Sequence, residues 1–234
     1  STFATVSNVS SIITWTGNDT VVGGGGNDTI DGRGGNDSLG GGGGNDWFLI
    51  SGTDALGDTI DGGSGALDTM QIRPGTGAAT LSTRSHFTGI EVFNGAGQQV
   101  WGTVAGDFLN FSTFSSVVNV SSIVTWDGND TIVGSAGADT IDGRAGSDSI
   151  VGGNGNDWLT GGANADQFVF TSSSQGTDTL TDFAVSVDEI VISAAGFGGG
   201  LFAGADLAAL GRFVSNTTGL ATAASFATAG LVGV

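Results

Sequence analysis

The chain has 234 residues, with 23 acidic residues against 5 basic ones, a net charge of −18 and no Cys. Phosphate binding needs a basic surface, so this acidity argues against a nucleic-acid partner. The lack of Cys excludes a disulfide scaffold, and 45 Gly beside 21 Asp argue against a helical bundle. The 14 Phe and 5 Trp argue against a disordered tail.

In chain order, the opening segment gives no start signal. It lacks a basic-then-apolar leader, and Ser1 in place of Met points to a fragment or a processed product. No run of 18 apolar residues occurs anywhere, so no spanning helix is expected. From Thr14 the chain falls into nonapeptides: TWTGNDTVV, GGGGNDTID, GRGGNDSLG and GGGGNDWFL. The sixth position is Asp throughout (Asp19, Asp28, Asp37, Asp46), and the eighth is apolar (Val21, Ile30, Leu39, Phe48).

Residues 50–124 keep only a weak version of the pattern, and 80–93 read as strand material without Gly/Asp turns. From Thr125 the pattern returns as TWDGNDTIV, GSAGADTID, GRAGSDSIV, GGNGNDWLT and GGANADQFV, with Asp130, Asp139, Asp148, Asp157 and Asp166 at position six. Residues 1–49 and 112–160 are identical at 33 of 49 positions. The second unit carries one more nonapeptide than the first, and growth by whole repeats is a mark of solenoids. The expected organisation is a first unit at 1–111, regular over 14–49, and a second at 112–183, regular over 125–169. The Ala/Gly-rich segment 184–234 is expected to be a cap or the start of a further segment. No linker separates the units, so one continuous stack is expected.

The first six positions of each repeat are turn formers, because Gly accepts positive φ and Asn tolerates it. The last three make a short strand with the eighth residue inward. Two repeats then close one circuit of 18 residues. The predicted fold is all-β: a parallel β-roll, with position-eight side chains as a thin core. Stacking brings each sixth-position Asp to roughly 4.8 Å from the Asp 18 residues on, where like charges repel. The sequence pairs are Asp19/Asp37, Asp28/Asp46, Asp130/Asp148, Asp139/Asp157 and Asp148/Asp166.

The turn carbonyls are expected to face the same gap. The candidates are Gly23, Gly24, Gly26, Gly32, Gly35, Gly41, Gly42 and Gly44, then Gly134, Gly137, Gly143, Gly146, Gly152, Gly153, Gly155, Gly161 and Gly162. Carboxylates plus carbonyls make a hard oxygen set that suits calcium better than zinc or magnesium. About five ions are expected, adding roughly +10 to the charge and leaving about −8. Asp58 and Asp178 are weaker candidates for end sites. Asp31, Asp61 and Asp142 at position nine are expected to be solvated. The repeated Trp pairs, Trp15/Trp126 and Trp47/Trp158, are expected to pack at stack ends or on the roll face, and an exposed sugar- or protein-binding patch is the alternative. His86 is expected at the surface or packed, and no catalytic constellation is visible, so no enzymatic activity is expected.

These nonapeptides resemble the G-G-x-G-x-D-x-U-x repeat of the RTX (repeats-in-toxin) family, over 14–49 and 125–183 strongly and 50–124 weakly. Arg33, Arg144 and Ser135 at position two and Asn164 at position four depart from it. The resemblance implies calcium binding, passage through a type I exporter and folding in external calcium. It also implies an extracellular or cell-surface location on a Gram-negative bacterium. A structural or adhesive surface protein is expected, and the alternative is the accessory region of a secreted hydrolase such as a protease or lipase. Self-association and a carbohydrate or other cell-surface partner remain open.

Overall fold

The computed structural model describes residues 10–53, 55–82, 86–172, 174–193 and 213–215. Those residues contain strands and turns and no α-helix, so none crosses a membrane as a helix. The chain divides into two compact units, residues 1–103 with 113–122, and residues 104–112 with 123–234. Of the expected cap, residues 194–212 and 216–234 lie outside the described residues.

In the first unit, β1 (Ile12–Ile13), β2 (Thr20–Gly25), β3 (Thr29–Asp31), β4 (Ser38–Gly43) and β5 (Trp47–Ile50) come from the regular repeats. They are followed by β6 (Thr59–Ser64), β7 (Thr69–Ile72), β8 (Ala79–Thr80), β9 (His86–Thr88) and β10 (Val92–Trp101). Apart from β8, successive strands go to alternate sheets. One runs β1-β3-β5-β7-β10 with β8 beside β10, and the other β2-β4-β6-β9. Every pairing is parallel. This is the pattern two nine-residue repeats per coil produce.

The second unit has β11 (Phe108–Asn110) and the end of β12 (Ser116–Val124), then β13 (Thr131–Val133), β14 (Thr140–Asp142), β15 (Ser149–Val151) and β16 (Trp158–Thr160). It closes with β17 (Gln167–Phe170), β18 (Asp178–Leu180), β19 (Glu189–Ile192) and β20 (Phe213–Ser215). One sheet is β11-β13-β15-β17-β19. The other joins Ile123 and Val124 of β12 to β14, then β16, β18 and β20.

The register puts like on like. Val21 faces Leu39, Ile30 faces Phe48, Ile132 faces Ile150 and Ile141 faces Leu159. These position-eight side chains are fully or almost fully buried. Each therefore stabilises the fold by about 1.5–3 kcal/mol through apolar burial, before chain entropy is counted. The strand triplets are short because the side chain before and after the buried one points to solvent or to the turn. In β2, β4 and β6 the strand extends into the glycines, so the turns themselves pair.

Past the regular repeats the coils lengthen without losing register. Leu39 faces Ile60, Phe48 faces Met70, Met70 faces Phe93, Leu159 faces Leu180 and Phe168 faces Ile190. The extra residues are absorbed in the turns, where chain-length changes cost least.

One expectation is corrected. Asp31 is not solvated: it is 3% exposed and accepts hydrogen bonds from the Arg73 guanidinium and the Arg33 backbone N–H. A position-nine carboxylate on β3 can be buried because Arg73, far along the chain, reaches back to it. The four repeated tryptophans are partly to largely exposed. Trp15, Trp47, Trp126 and Trp158 are 74%, 41%, 39% and 55% exposed. Trp47 and Trp158 precede the buried strand residue and so point outward. Trp15 and Trp126 each carry an arginine over the ring, Arg33 at 5.4 Å and Arg144 at 5.5 Å from the centroid. The charge of each arginine is further held by Asp31 or Asp142. His86 is exposed in β9, where its backbone pairs with Thr59.

Candidate metal centre

All nine sixth-position Asp residues are buried, between 0% and 8% exposed. They stand in columns. In each pair expected from the sequence, the backbone N–H of the earlier Asp donates to Oδ1 of the later one. The distances are 2.8 Å for Asp19 to Asp37, 2.8 Å for Asp28 to Asp46 and 2.8 Å for Asp130 to Asp148. They are 2.9 Å for Asp139 to Asp157 and 2.9 Å for Asp148 to Asp166.

The columns run further than the regular repeats. Asp37 N–H donates to Asp58 and Asp157 N–H to Asp178, at 2.8 and 3.1 Å, so both weaker candidates stand in the columns. Asp68, Glu91, Asp107 and Asp188 join them, and the first three were not singled out as ligands in the sequence. Each falls two residues before a buried apolar side chain (Met70, Phe93, Leu109, Ile190). That acid-x-apolar triplet is the signal that survives where the glycines do not.

With Oδ1 of Asp46, Asp148, Asp157 and Asp166 occupied, Oδ2 decides the chemistry. Oδ2 of Asp28, Asp46, Asp148, Asp157 and Asp166 is buried and has no hydrogen-bond partner among the described residues. Each lies against the position-one glycine of its own repeat. A methyl group on Gly23 would sit 2.5 Å from Asp28 Oδ2 and 2.6 Å from the Gly41 carbonyl oxygen. One on Gly41 would run into Asp46 Oδ2 and approach the Gly62 carbonyl. The same contact recurs at Gly143 with Asp148 and the Gly161 carbonyl, at Gly152 with Asp157, and at Gly161 with Asp166. Gly32 and Gly134 hold this place beside Asp37 and Asp139. Carboxylate and carbonyl oxygens thus converge with no donor between them, an arrangement that costs free energy unless a cation joins them.

The turns are more bonded to each other than the sequence reading assumed. The carbonyls of Gly34, Gly43, Ala145 and Ala163 accept from position-four N–H groups of the preceding coil. Those of Ser135 and Arg144 accept from Asn154 and Ala163. A carbonyl has two lone pairs, so this fixes its direction and leaves one pair over. Positive φ is found at Gly24, Gly42, Gly153 and Gly162 in position two, and at Gly26, Gly35, Gly44, Gly146 and Gly155 in position four. Arg33, Arg144 and Asn164 adopt it too, despite their side chains.

Gly137 is the exception, and Ser135 explains it. The Ser135 N–H and hydroxyl both donate to Asp139 Oδ2, at 2.6 and 2.9 Å, and remodel that turn. A hydroxyl also intervenes at the first coil of each unit. Thr14 and Thr125, which replace the leading glycine, donate to the carbonyls of Gly32 and Gly143 at 2.7 and 3.1 Å. A carbonyl that elsewhere lacks such a donor has one there.

The carboxylates are not at ease as anions. Burial pushes Asp46, Asp68, Asp130, Asp139, Asp166 and Asp178 up from the usual carboxylate range. Asp148 and Asp157 are pushed up to about 7, by burial first and then by neighbouring carboxylates, against the lowering effect of one backbone N–H each. Among the described residues no three His, Asp or Glu side chains gather around one point. The oxygen set is therefore mixed, side chain and main chain, which is the set a calcium ion takes. A bound calcium would supply the positive charge that lets stacked carboxylates stay ionised.

Residues 16–48, 127–159 and 144–171 match the family model of the RTX calcium-binding nonapeptide repeat. No curated protein matches the chain.

Proposed function

We propose that this chain, whose nonapeptides are RTX calcium-binding repeats, is a stretch of an extracellular protein that calcium folds into a rigid structural or adhesive spacer. The repeats make it a calcium-binding β-roll region, and that roll is a non-catalytic calcium-binding fold. One observation carries the folding mechanism: the buried Oδ2 atoms of Asp28, Asp46 and Asp148 lie near main-chain carbonyls with no donor among the described residues. An ion-free chain with a net charge of −18 would have to desolvate those carboxylates against their own repulsion. It therefore stays unfolded at low calcium and folds where calcium is abundant, because ion binding and folding are one equilibrium. The nine repeat Asp residues are the carboxylate ligands in this reading, with the position-one carbonyls as their main-chain partners. Passage through a type I exporter fits it, since a chain unfolded at cytosolic calcium is threadable. The duplication at an offset of 111 residues, identical at 33 of 49 positions, favours a spacer over an accessory region of a hydrolase.

Small-angle scattering in chelator and in about 5 mM calcium tests this. The radius of gyration is expected to fall from about 50 Å, the value for an unfolded chain of this length, on calcium addition. Half-saturation is expected near 10⁻⁴–10⁻³ M, the range of extracellular modules. The same radius in chelator and in calcium contradicts calcium-driven folding, and half-saturation below about 10⁻⁶ M contradicts the extracellular assignment.

A further inference from the structure

Asp68 lies outside the matched repeats, which end at residue 48 in this unit. It sits in a coil whose turn carries one extra residue between the leading glycine and the acid. It is nevertheless 0% exposed, and its Oδ2 has no hydrogen-bond partner among the described residues. Its Oδ1 accepts from the Asp46 N–H at 2.7 Å. Two glycines clasp the carboxylate. A methyl group on Gly62 would lie 2.7 Å from Oδ2 and run into the Gly89 carbonyl. One on Gly65 would lie 2.7 and 2.8 Å from Oδ1 and Oδ2 and run into the Gly44 carbonyl.

Glu91 is strapped over the same residue. Its N–H donates to the Asp68 carbonyl at 3.0 Å, and its Oε2 accepts from the Asp68 N–H at 2.9 Å. Glu91 comes 23 residues after Asp68 rather than 18, and its extra methylene suits the longer coil.

We propose that Asp68 and Glu91, with the main-chain carbonyls of Gly44 and Gly89, form a further calcium site beyond the nonapeptide repeats. The site rests on the calcium reading above. It takes a divalent cation for the reason the regular columns do: two acids, converging carbonyls and a buried oxygen without a donor. It differs from them in having Glu as the outer acid and a single glycine, Gly89, in place of the glycine run ahead of that acid. It carries the ion column into the irregular coil, where sequence pattern alone ends it.

Long-wavelength anomalous diffraction from crystals of the whole chain grown in calcium is the test. A peak within about 2.6 Å of Asp68 Oδ2 is expected, beside peaks in the regular columns. Peaks at Asp28/Asp46 and Asp148/Asp166 with none at Asp68 overturn this site and leave the proposed function standing. No peak anywhere overturns both. As a second arm, equilibrium dialysis of Glu91→Gln with calcium is expected to show one ion fewer per chain than the parent. An unchanged count overturns the part given to Glu91. Asp148→Asn is the control, expected to lose at least one ion from a regular column.

Discussion

At the residue scale the central fact is a division of labour within one carboxylate. In Asp46, Asp148, Asp157 and Asp166, Oδ1 is spent on a backbone N–H of the coil before, and the buried Oδ2 is left without a donor among the described residues. The sequence pairs were legible, because a strict 18-residue interval under a parallel stack puts Asp on Asp. The exceptions were legible as departures from the repeat, but the bonds their hydroxyls make were not. Ser135 satisfies Asp139 Oδ2, and Thr14 and Thr125 bond carbonyls of the next coil. Acidity gives a prediction at this scale. Asp148 and Asp157 titrate near 7 in the ion-free fold and near 3.9 unfolded. The fold then binds more protons than the unfolded chain between those values, so ion-free stability rises as pH falls from about 8 towards 4. Protons and calcium compete for the same oxygens, so the calcium midpoint moves the other way, to higher calcium at lower pH. Circular dichroism in chelator at pH 8 and pH 5 is expected to show more β signal at pH 5. Equal spectra at the two pH values, with a calcium midpoint independent of pH, would count against these columns as the site of binding.

At the scale of the element, the strand is a triplet whose middle residue is buried and whose acid sits just before it. That rule explains how the fold persists where the nonapeptide fails. Asp58-Thr59-Ile60, Asp68-Thr69-Met70, Glu91-Val92-Phe93 and Asp178-Thr179-Leu180 all bury their apolar member and put their acid in a column. A search for whole repeats misses Asp68, Asp107 and Asp188, since the glycines before them are displaced or lost. The coil lengths of the irregular part were equally illegible, because an insertion in a turn leaves no trace in the strand pattern. Trp47 and Trp158, at position seven, face outward in this coil, while Trp15 and Trp126, at position two, lie under Arg33 and Arg144. If the core is this thin, each member matters. Ile150 is 0% exposed between Ile132 and Phe168. Ile150→Ala is expected to cost about 2–5 kcal/mol, measured by urea unfolding at saturating calcium. A loss below about 0.5 kcal/mol would mean that the position-eight stack is not the core that holds these coils.

For the whole molecule, charge and fold are one problem. A net charge of −18 with only five arginines leaves little internal compensation, and two of those arginines are held over tryptophan rings beside their aspartates. Fold class and the main columns could be read from the repeats, because period, glycine and acid all point to one coil. Residues 194–212 and 216–234 carry no such period, and the cap expected there lies outside the described residues. The account stands on calcium being part of the fold rather than an addition to it. The most direct measurement is far-UV circular dichroism of the whole chain, titrated from chelator to about 10 mM calcium with magnesium in parallel. A cooperative gain of β signal with calcium and none with magnesium is the predicted result. A chain already fully β in chelator, unchanged by calcium, would contradict the account, since the buried carboxylates would then be held without an ion.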